Sequence, residues 1–329
     1  MNDRTRSLLV GLVAGLASAV LLLGSGSATF LALVLALCAM IPILIAGLGW
    51  SNLASGVALL LATIIVAVVV SPLDAARVAA STLAPAAWIA HLSNLARPAD
   101  EVGGRTGQLA WYPLSGILFQ ICGLVCLFLV IAGLLVNYGE DLLRPEVELM
   151  YRTLSEQNML PPAAGDEAVE VGELTSMLTR VLPISMAGTL VLLQFSSWYV
   201  ACAVVRISGR AKRPADYIPS ELRMPRAAVL VLGVGLALMF VGGKAELVGG
   251  VITGALGSGF VLTGLAILHQ KLASKPWRLM ALWFIYSSFI IFHVLWLALF
   301  MFAGMFGTAR AALPASPGSG PTNSNDQSN

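Results

Sequence analysis

The sequence predicts an all-α protein: a polytopic transmembrane helix bundle. Three observations carry that prediction. Of 329 residues, 58% are hydrophobic and only 11% are charged, against about 25% charged in a soluble globular domain. Mean hydropathy is +0.86. From Ser7 to Leu73 there is no Asp, Glu, Lys or Arg. So few charges cannot cover a water-facing surface, but they suit one that faces lipid. The formal net charge of +2 supplies no basic field for nucleic acid.

A bilayer core about 30 Å thick needs about 20 apolar residues in a helix. The uncharged N-terminal stretch divides at Gly24-Ser25-Gly26-Ser27 and at Gly47–Asn52, the natural turn signals. That gives spans at 7–23, 28–46 and 53–71. An Ala-rich stretch with Pro85, Trp88, His91 and Asn94 gives a fourth at 78–96. Charge-free runs at 113–137, 181–205, 227–243, 247–269 and 279–306 complete about nine spans, or eight if 78–96 lies along the surface or re-enters. Arg4 and Arg6 ahead of an apolar run, with Ser25-Gly26-Ser27 behind it, resemble a signal peptide. Further spans follow at once, which favours an uncleaved first helix.

Lys and Arg in short loops set orientation. Arg4 and Arg6 place the N-terminus in the cytoplasm. The loop 138–180 is acidic, with Glu140, Asp141, Glu146, Glu148, Glu156, Asp166, Glu167, Glu170 and Glu173. The loop 206–226 is basic, with Arg206, Arg210, Lys212, Arg213, Arg223 and Arg226; Lys271, Lys275 and Arg278 mark another basic turn. Nine spans put Arg97, Arg105 and these basic loops inside a bacterial inner membrane, the acidic loop outside, and the C-terminus outside. Within 138–180, Pro145–Met159 reads as a helix ended by Pro161-Pro162. A second helix from about Asp166 runs into the sixth span. The pair either lies on the membrane surface or caps an external cavity mouth. Residues 1–308 thus form the membrane domain, and 309–329 form a polar Gly/Pro/Ser/Asn tail expected to be disordered.

No P-loop, HExxH, GxSxG or kinase signature is present. Catalytic residues, a bound metal and a cofactor are not expected, and the four cysteines read as small apolar packing residues. Polar groups inside the spans are the functional candidates, because lipid cannot satisfy them. Trp283, Tyr286, Ile290, His293, Trp296 and Phe300 recur at spacings of three or four and would share one helical face. That face either packs helices or lines a ligand pocket. Gln194, Ser197 and Trp198 share a face of the sixth span, and Gln120 stands on the fifth. Gln120, Gln194 and His293 either make separate interhelical hydrogen bonds or converge on a cavity. Rows of small residues, Gly11, Gly15 and Ala19, then Gly250, Gly254 and Ser258, let another helix approach closely. The partner helix is either internal or from another protein.

Leu182-Pro183 and Met224-Pro225 at the starts of two spans, and Gly264-Leu265-Ala266 followed by His269, resemble the YybS-like family of uncharacterised bacterial membrane proteins. The resemblance covers most of the chain up to about residue 308. It implies kinship with the S components of energy-coupling-factor transporters, whose compact bundle binds a vitamin or metal near the outer face. There a separate transmembrane coupling protein with ATPase subunits drives transport and meets small residues of the first helix, here Gly11, Gly15 and Ala19. This chain departs in having more spans and no transferable ligand signature. The expectation is a substrate-binding or permease-like component; the alternative is a non-transporting scaffold or assembly factor. The expected partners are the lipid bilayer and that coupling protein.

Overall fold

The computed structural model describes residues 2–26, 30–103, 105–157 and 167–310. Of the tail expected at 309–329, residues 309 and 310 belong instead to the last helix; residues 311–329 and Pro161-Pro162 lie outside the described residues. The first helices are α1 (Asp3–Gly24), α2 (Phe30–Ala39), α3 (Ile41–Gly49) and α4 (Asn52–Val69). Next come α5 (Pro72–Val78), a π-helical turn (Ala79–Leu83) and α6 (Ala84–Ser93). A two-stranded antiparallel ribbon, β1 (Ala96–Pro98) with β2 (Leu109–Trp111), precedes α7 (Leu114–Leu135). Then follow α8 (Glu140–Glu156), α9 (Glu167–Ile207), α10 (Ile218–Glu221), α11 (Arg226–Leu238), α12 (Gly243–Leu272), α13 (Arg278–Ile291) and α14 (His293–Arg310).

Five of these, α1, α4, α7, α9 and α12, are long and apolar enough to cross a membrane. Turn chemistry starts several helices. Ser51 and Ser71 accept from the backbone N–H groups of Ala54 (3.2 Å) and Asp74 (3.0 Å), the usual role of a serine N-cap. Interior prolines account for irregular stretches. Pro42 follows the break at Met40, and Pro85 follows the π turn; each removes a helical donor and crowds the preceding turn. The stretch 78–96 packs into the bundle, with Leu83, Ala86, Ile89, Ala90 and Leu92 buried in its core.

Glycines set the helix directions. A Cβ at Gly11 would lie 2.7 Å from the Ala54 carbonyl, and one at Gly15 2.8 Å from that of Ala58. The numbers rise together, so α1 and α4 run parallel with α2–α3 returning between them. Gly250 seats on Pro183, Gly254 on Ile184, and Ser258 on Gly188, so α9 and α12 are parallel. Gly304 packs on Gly264 and the Phe260 carbonyl, and Gly307 on Ile267; these numbers too rise together, so α12 and α14 are parallel. Both rows of small residues therefore pack against helices of this same chain.

These directions gather the basic residues at one end of the bundle. Arg4 and Arg6 share a surface hollow with Trp50 and Arg210. The Lys212 ammonium donates to the Trp50 carbonyl (2.8 Å), Arg213 to that of Tyr112 (2.6 Å), and Arg223 to Gln270 (2.6 Å). The opposite end carries the acidic segment and the Arg180–Glu246 pair (2.9 Å).

Two expectations need correction. Residues 279–306 do not form one helix, because the chain breaks at Phe292. α13 leads back from the end of α12, and α14 then runs parallel to α12. With Gly304 beside Gly264, His293 falls level with Thr253, about 15 Å short of the α12 N-terminus at 1.5 Å per residue. α13 and α14 thus form a hairpin that enters and leaves at the basic end. Both ends of the described chain lie there, not at opposite ends as nine spans require. The 279–306 run hides this break, having no charge, Gly or Pro near Phe292.

In the acidic segment, α8 begins at Glu140, so Pro145 sits inside the helix and not at its start. As expected, the helix from residue 167 continues into the sixth span, here as the 41-residue α9. α8 pairs antiparallel with its N-terminal part through buried Val147 and Val171 and a Tyr151–Glu170 hydrogen bond of 2.6 Å. The two form a hairpin that stands off the acidic end, with an open surface hollow at its base between Glu140 of α8 and Glu173, Met177 and Arg180 of α9.

Candidate functional site

The polar face of α9 is spent inside the bundle. The Gln194 amide Nε2 donates to the Ser81 carbonyl (2.9 Å), the Ser197 hydroxyl to the Leu37 carbonyl (2.9 Å), and the Trp198 indole to the Ser93 hydroxyl (2.8 Å). Ser81 lies four residues before Pro85, which has no N–H to give it, and Leu37 lies beside the break before Pro42. The Gln194 amide thus serves a carbonyl that the proline nitrogen cannot, and the other two bonds give polar groups partners in an apolar interior. Gln194 is 1% exposed, and its Oε1 has no protein partner among the described residues.

The expected aromatic–histidine face does not exist as one surface. Trp283, Tyr286 and Ile290 lie on α13, which buries no residue; His293, Trp296 and Phe300 lie on α14. Trp283 is 67% exposed. The Tyr286 hydroxyl is 2.7 Å from His269 Nε2, and the Trp296 indole donates to Ser288 at 3.0 Å. His293 is exposed at the hairpin break. Gln120 is half-buried on α7, and among the described residues no hydrogen bond joins it to Gln194 or His293. The convergence of Gln120, Gln194 and His293 is not present. Of the seven ligand candidates, Trp198 borders a cavity at the basic end of the bundle.

That cavity, about 290 Å³, lies at the basic end between the last turns of α9 and the segment 211–219. Its floor is Leu48, Ser93, Asn94 and Trp198. One wall is Tyr199, Cys202, Ala203 and Arg206 of α9; the other is Lys212, Arg213, Asp216 and Tyr217. Local sequence explains why this wall is firm. Gly209 adopts a left-handed φ of +68°, which ends α9. The Gly209 and Arg210 N–H groups bond back to Arg206 and Val205, each at 3.0 Å, the Schellman pattern. The chain then folds over the helix end. The Arg210 guanidinium stacks 4.4 Å above the Trp50 ring. Arg213 grips both carboxylate oxygens of Asp216 at 2.7 Å each while its third nitrogen holds the Tyr112 carbonyl. On the floor, Asn94 Nδ2 donates to the Gly47 and Leu48 carbonyls (3.0 and 3.3 Å), capping α3.

The result is a small space with aromatic and apolar sides and two cations at its rim. Asp216 is engaged in both oxygens by Arg213, so it leaves Arg206 and Lys212 unneutralised. In the sequence, 206–226 reads as a basic cytoplasmic loop that sets orientation and would suit a scaffold; neither role places these residues over α9. The available signal was Gly209 directly after an apolar helix, followed within eight residues by Lys212, Arg213 and Tyr217. No family model matches the chain, nor does any curated protein or solved structure.

Proposed function

We propose that this chain is a multi-pass protein of the bacterial inner membrane that binds a small molecule in the cavity between α9 and 211–219, as a substrate-binding or permease-like component of a transporter. The observation that supports this reading most is the cavity itself. It is of headgroup or small-metabolite size, near the lower limit for ligand pockets, and its outer wall is held in place by the Arg213–Asp216–Tyr112 cluster. The positive-inside tendency makes the basic end cytoplasmic, so both ends of the described chain would face the cytoplasm. The YybS-like resemblance and the S-component kinship belong to the same proposal, with two adjustments. The cavity lies at the basic end, away from the outer face where S components bind. Gly11 and Gly15 already hold α4 and Ala19 is fully buried, so a coupling protein with ATPase subunits would dock elsewhere. Thermal-shift screening of purified protein against metabolites and lipids tests the reading, with Ala203→Trp as the cavity-filled control. At least one compound should stabilise the native chain and not the variant. A broad panel with no such compound defeats the proposal.

A second reading, a non-transporting scaffold, is favoured by one feature: the acidic α8–α9 hairpin standing off the opposite end. Replacing exposed hairpin carboxylates such as Glu146 and Glu173 would abolish co-purification of envelope proteins, while Ala203→Trp would leave it unchanged.

A further inference from the structure

We infer that the cavity at the end of α9 takes a phosphate ester, with Arg206 and Lys212 as its charge partners. This inference rests on the cavity-binding reading above and specifies its ligand class.

The first argument is charge. Three cations border the cavity, Arg206, Lys212 and Arg213, against one carboxylate, Asp216. Asp216 is fully used by Arg213, with both oxygens at 2.7 Å. The nearby Glu221 carboxylate accepts from the Tyr217 N–H (3.2 Å) and does not border the cavity. Arg206 and Lys212 therefore present their charge to whatever enters. The Lys212 ammonium uses one donor on the Trp50 carbonyl (2.8 Å), which fixes its position and leaves two donors for a ligand. A cation pair of this kind suits a phosphoryl group, which accepts several charge-assisted hydrogen bonds at once.

The second argument is access. Tyr199 and Tyr217 flank the cavity and are 53% and 55% exposed. Tyrosine at this depth marks a membrane–water interface, where an apolar ring and a polar tip both find their medium. Leu192, Ser196 and Tyr199 follow one another at helical spacing along α9, half-buried to exposed. They make a track from the apolar zone to the cavity. A phosphate on an acyl-chain glycerolipid would enter sideways along this track; a free phosphate ester would enter from the aqueous end. Basic pockets on the cytoplasmic side of helix bundles are suited to anionic lipid headgroups for the same reasons.

The test uses the full chain in neutral detergent and three probes: dioctanoyl phosphatidylglycerol, dioctanoyl phosphatidylcholine and glycerol phosphate. Melting temperature is followed as each is titrated into the native protein, Ala203→Trp and the double variant Arg206→Gln/Lys212→Gln. The expected result is stabilisation by phosphatidylglycerol, weakened about tenfold or more in the double variant, with little effect of phosphatidylcholine. If glycerol phosphate matches phosphatidylglycerol and shows the same loss, the ligand is a free phosphate ester; if it does nothing, the acyl chains are part of recognition. Phosphatidylcholine binding as well as phosphatidylglycerol, or the double variant retaining full affinity, overturns the inference. Should the double variant melt early without ligand, Arg206→Gln alone is compared across salt concentrations. The native affinity must then fall with salt more steeply than that of the variant. A neutral compound blocked by Ala203→Trp but indifferent to the two cations would sink the phosphate while keeping the cavity reading. No compound blocked by Ala203→Trp would sink both.

Discussion

The Gln194 amide donates at 2.9 Å to the Ser81 carbonyl, the group four residues before Pro85 that a proline nitrogen cannot serve. A side chain on α9 thus completes the backbone of another helix. Gln194→Leu should cost about 1 kcal/mol, the usual net value of such a bond. In a Pro85→Ala background, the new N–H can serve Ser81, so the same change should cost close to nothing. Thermal or denaturant unfolding of the four proteins in one detergent gives the coupling. Equal costs of Gln194→Leu in both backgrounds would show that the amide does not compensate for the proline.

The same logic recurs at Pro183, four residues after Thr179. There the Tyr138 hydroxyl donates to the Thr179 carbonyl at 3.1 Å and ties the end of α7 to α9. Burial pushes the Tyr138 phenol up from 10.0 to about 12. The neutral form is the donor, and its folded-state value is the raised one. Its stabilising contribution is therefore complete below pH 10 and disappears as pH rises toward 12. Tyr138→Phe should lose about 1 kcal/mol at neutral pH and show a flatter loss of stability above pH 10. Absorbance titration of tyrosinate checks the ionisation: the latest-ionising tyrosine of the native protein should be missing from the variant.

Much of the fold is legible in sequence for physical reasons. Charge-free stretches mark apolar helices, and the acidic 138–180 and basic 206–226 segments do fall at opposite ends. Gln194, Ser197 and Trp198 are legible as one polar face of α9. Their partners are not, because Ser81 and Leu37 contribute backbone carbonyls, which no composition reveals. Prolines were the unused clue: Pro85 and Pro183 each leave a carbonyl that needs a donor from elsewhere. Trp283 through Phe300 misled because a helical spacing holds only while the helix continues, and nothing at Phe292 announces a break. The cavity escaped because it is formed by a loop folding back, a long-range arrangement set by Arg213, Asp216 and Tyr112.

Close helix approach predicts a sharp contrast among glycines. A Cβ at Gly254 would collide with the Ile184 backbone carbonyl, and one at Gly264 with that of Phe300. Backbone cannot yield as a flexible side chain can, so Gly254→Ala and Gly264→Ala should each destabilise by about 1–3 kcal/mol, the range for overpacking. Gly56 and Gly233 meet nothing within 4 Å. Alanine there should be neutral or slightly stabilising, since it favours the helix by about 1 kcal/mol. Detergent melting curves of the four variants decide it. Equal effects at Gly56 and Gly254 would show that the α9–α12 contact is not as close as described.

The direction of α14 makes the most consequential prediction, because it changes the chain's topology. Gly307 packs on Ile267 and Gly304 on the Phe260 carbonyl, so α14 ends beside the C-terminal part of α12. That part is linked through the Arg223–Gln270 bond to the basic end, where Arg4 and Arg6 also lie. Reporters fused ahead of Asp3 and after Arg310 should therefore read the same side of the membrane, the cytoplasmic one by the positive-inside tendency. A reporter inserted after Gln157, at the end of α8, should read the opposite side. A single helix over 279–306 would put the C-terminal reporter outside. That outcome would mean that the chain continues straight through Phe292 in the bilayer, and that the parallel packing of α14 on α12 is not its membrane state.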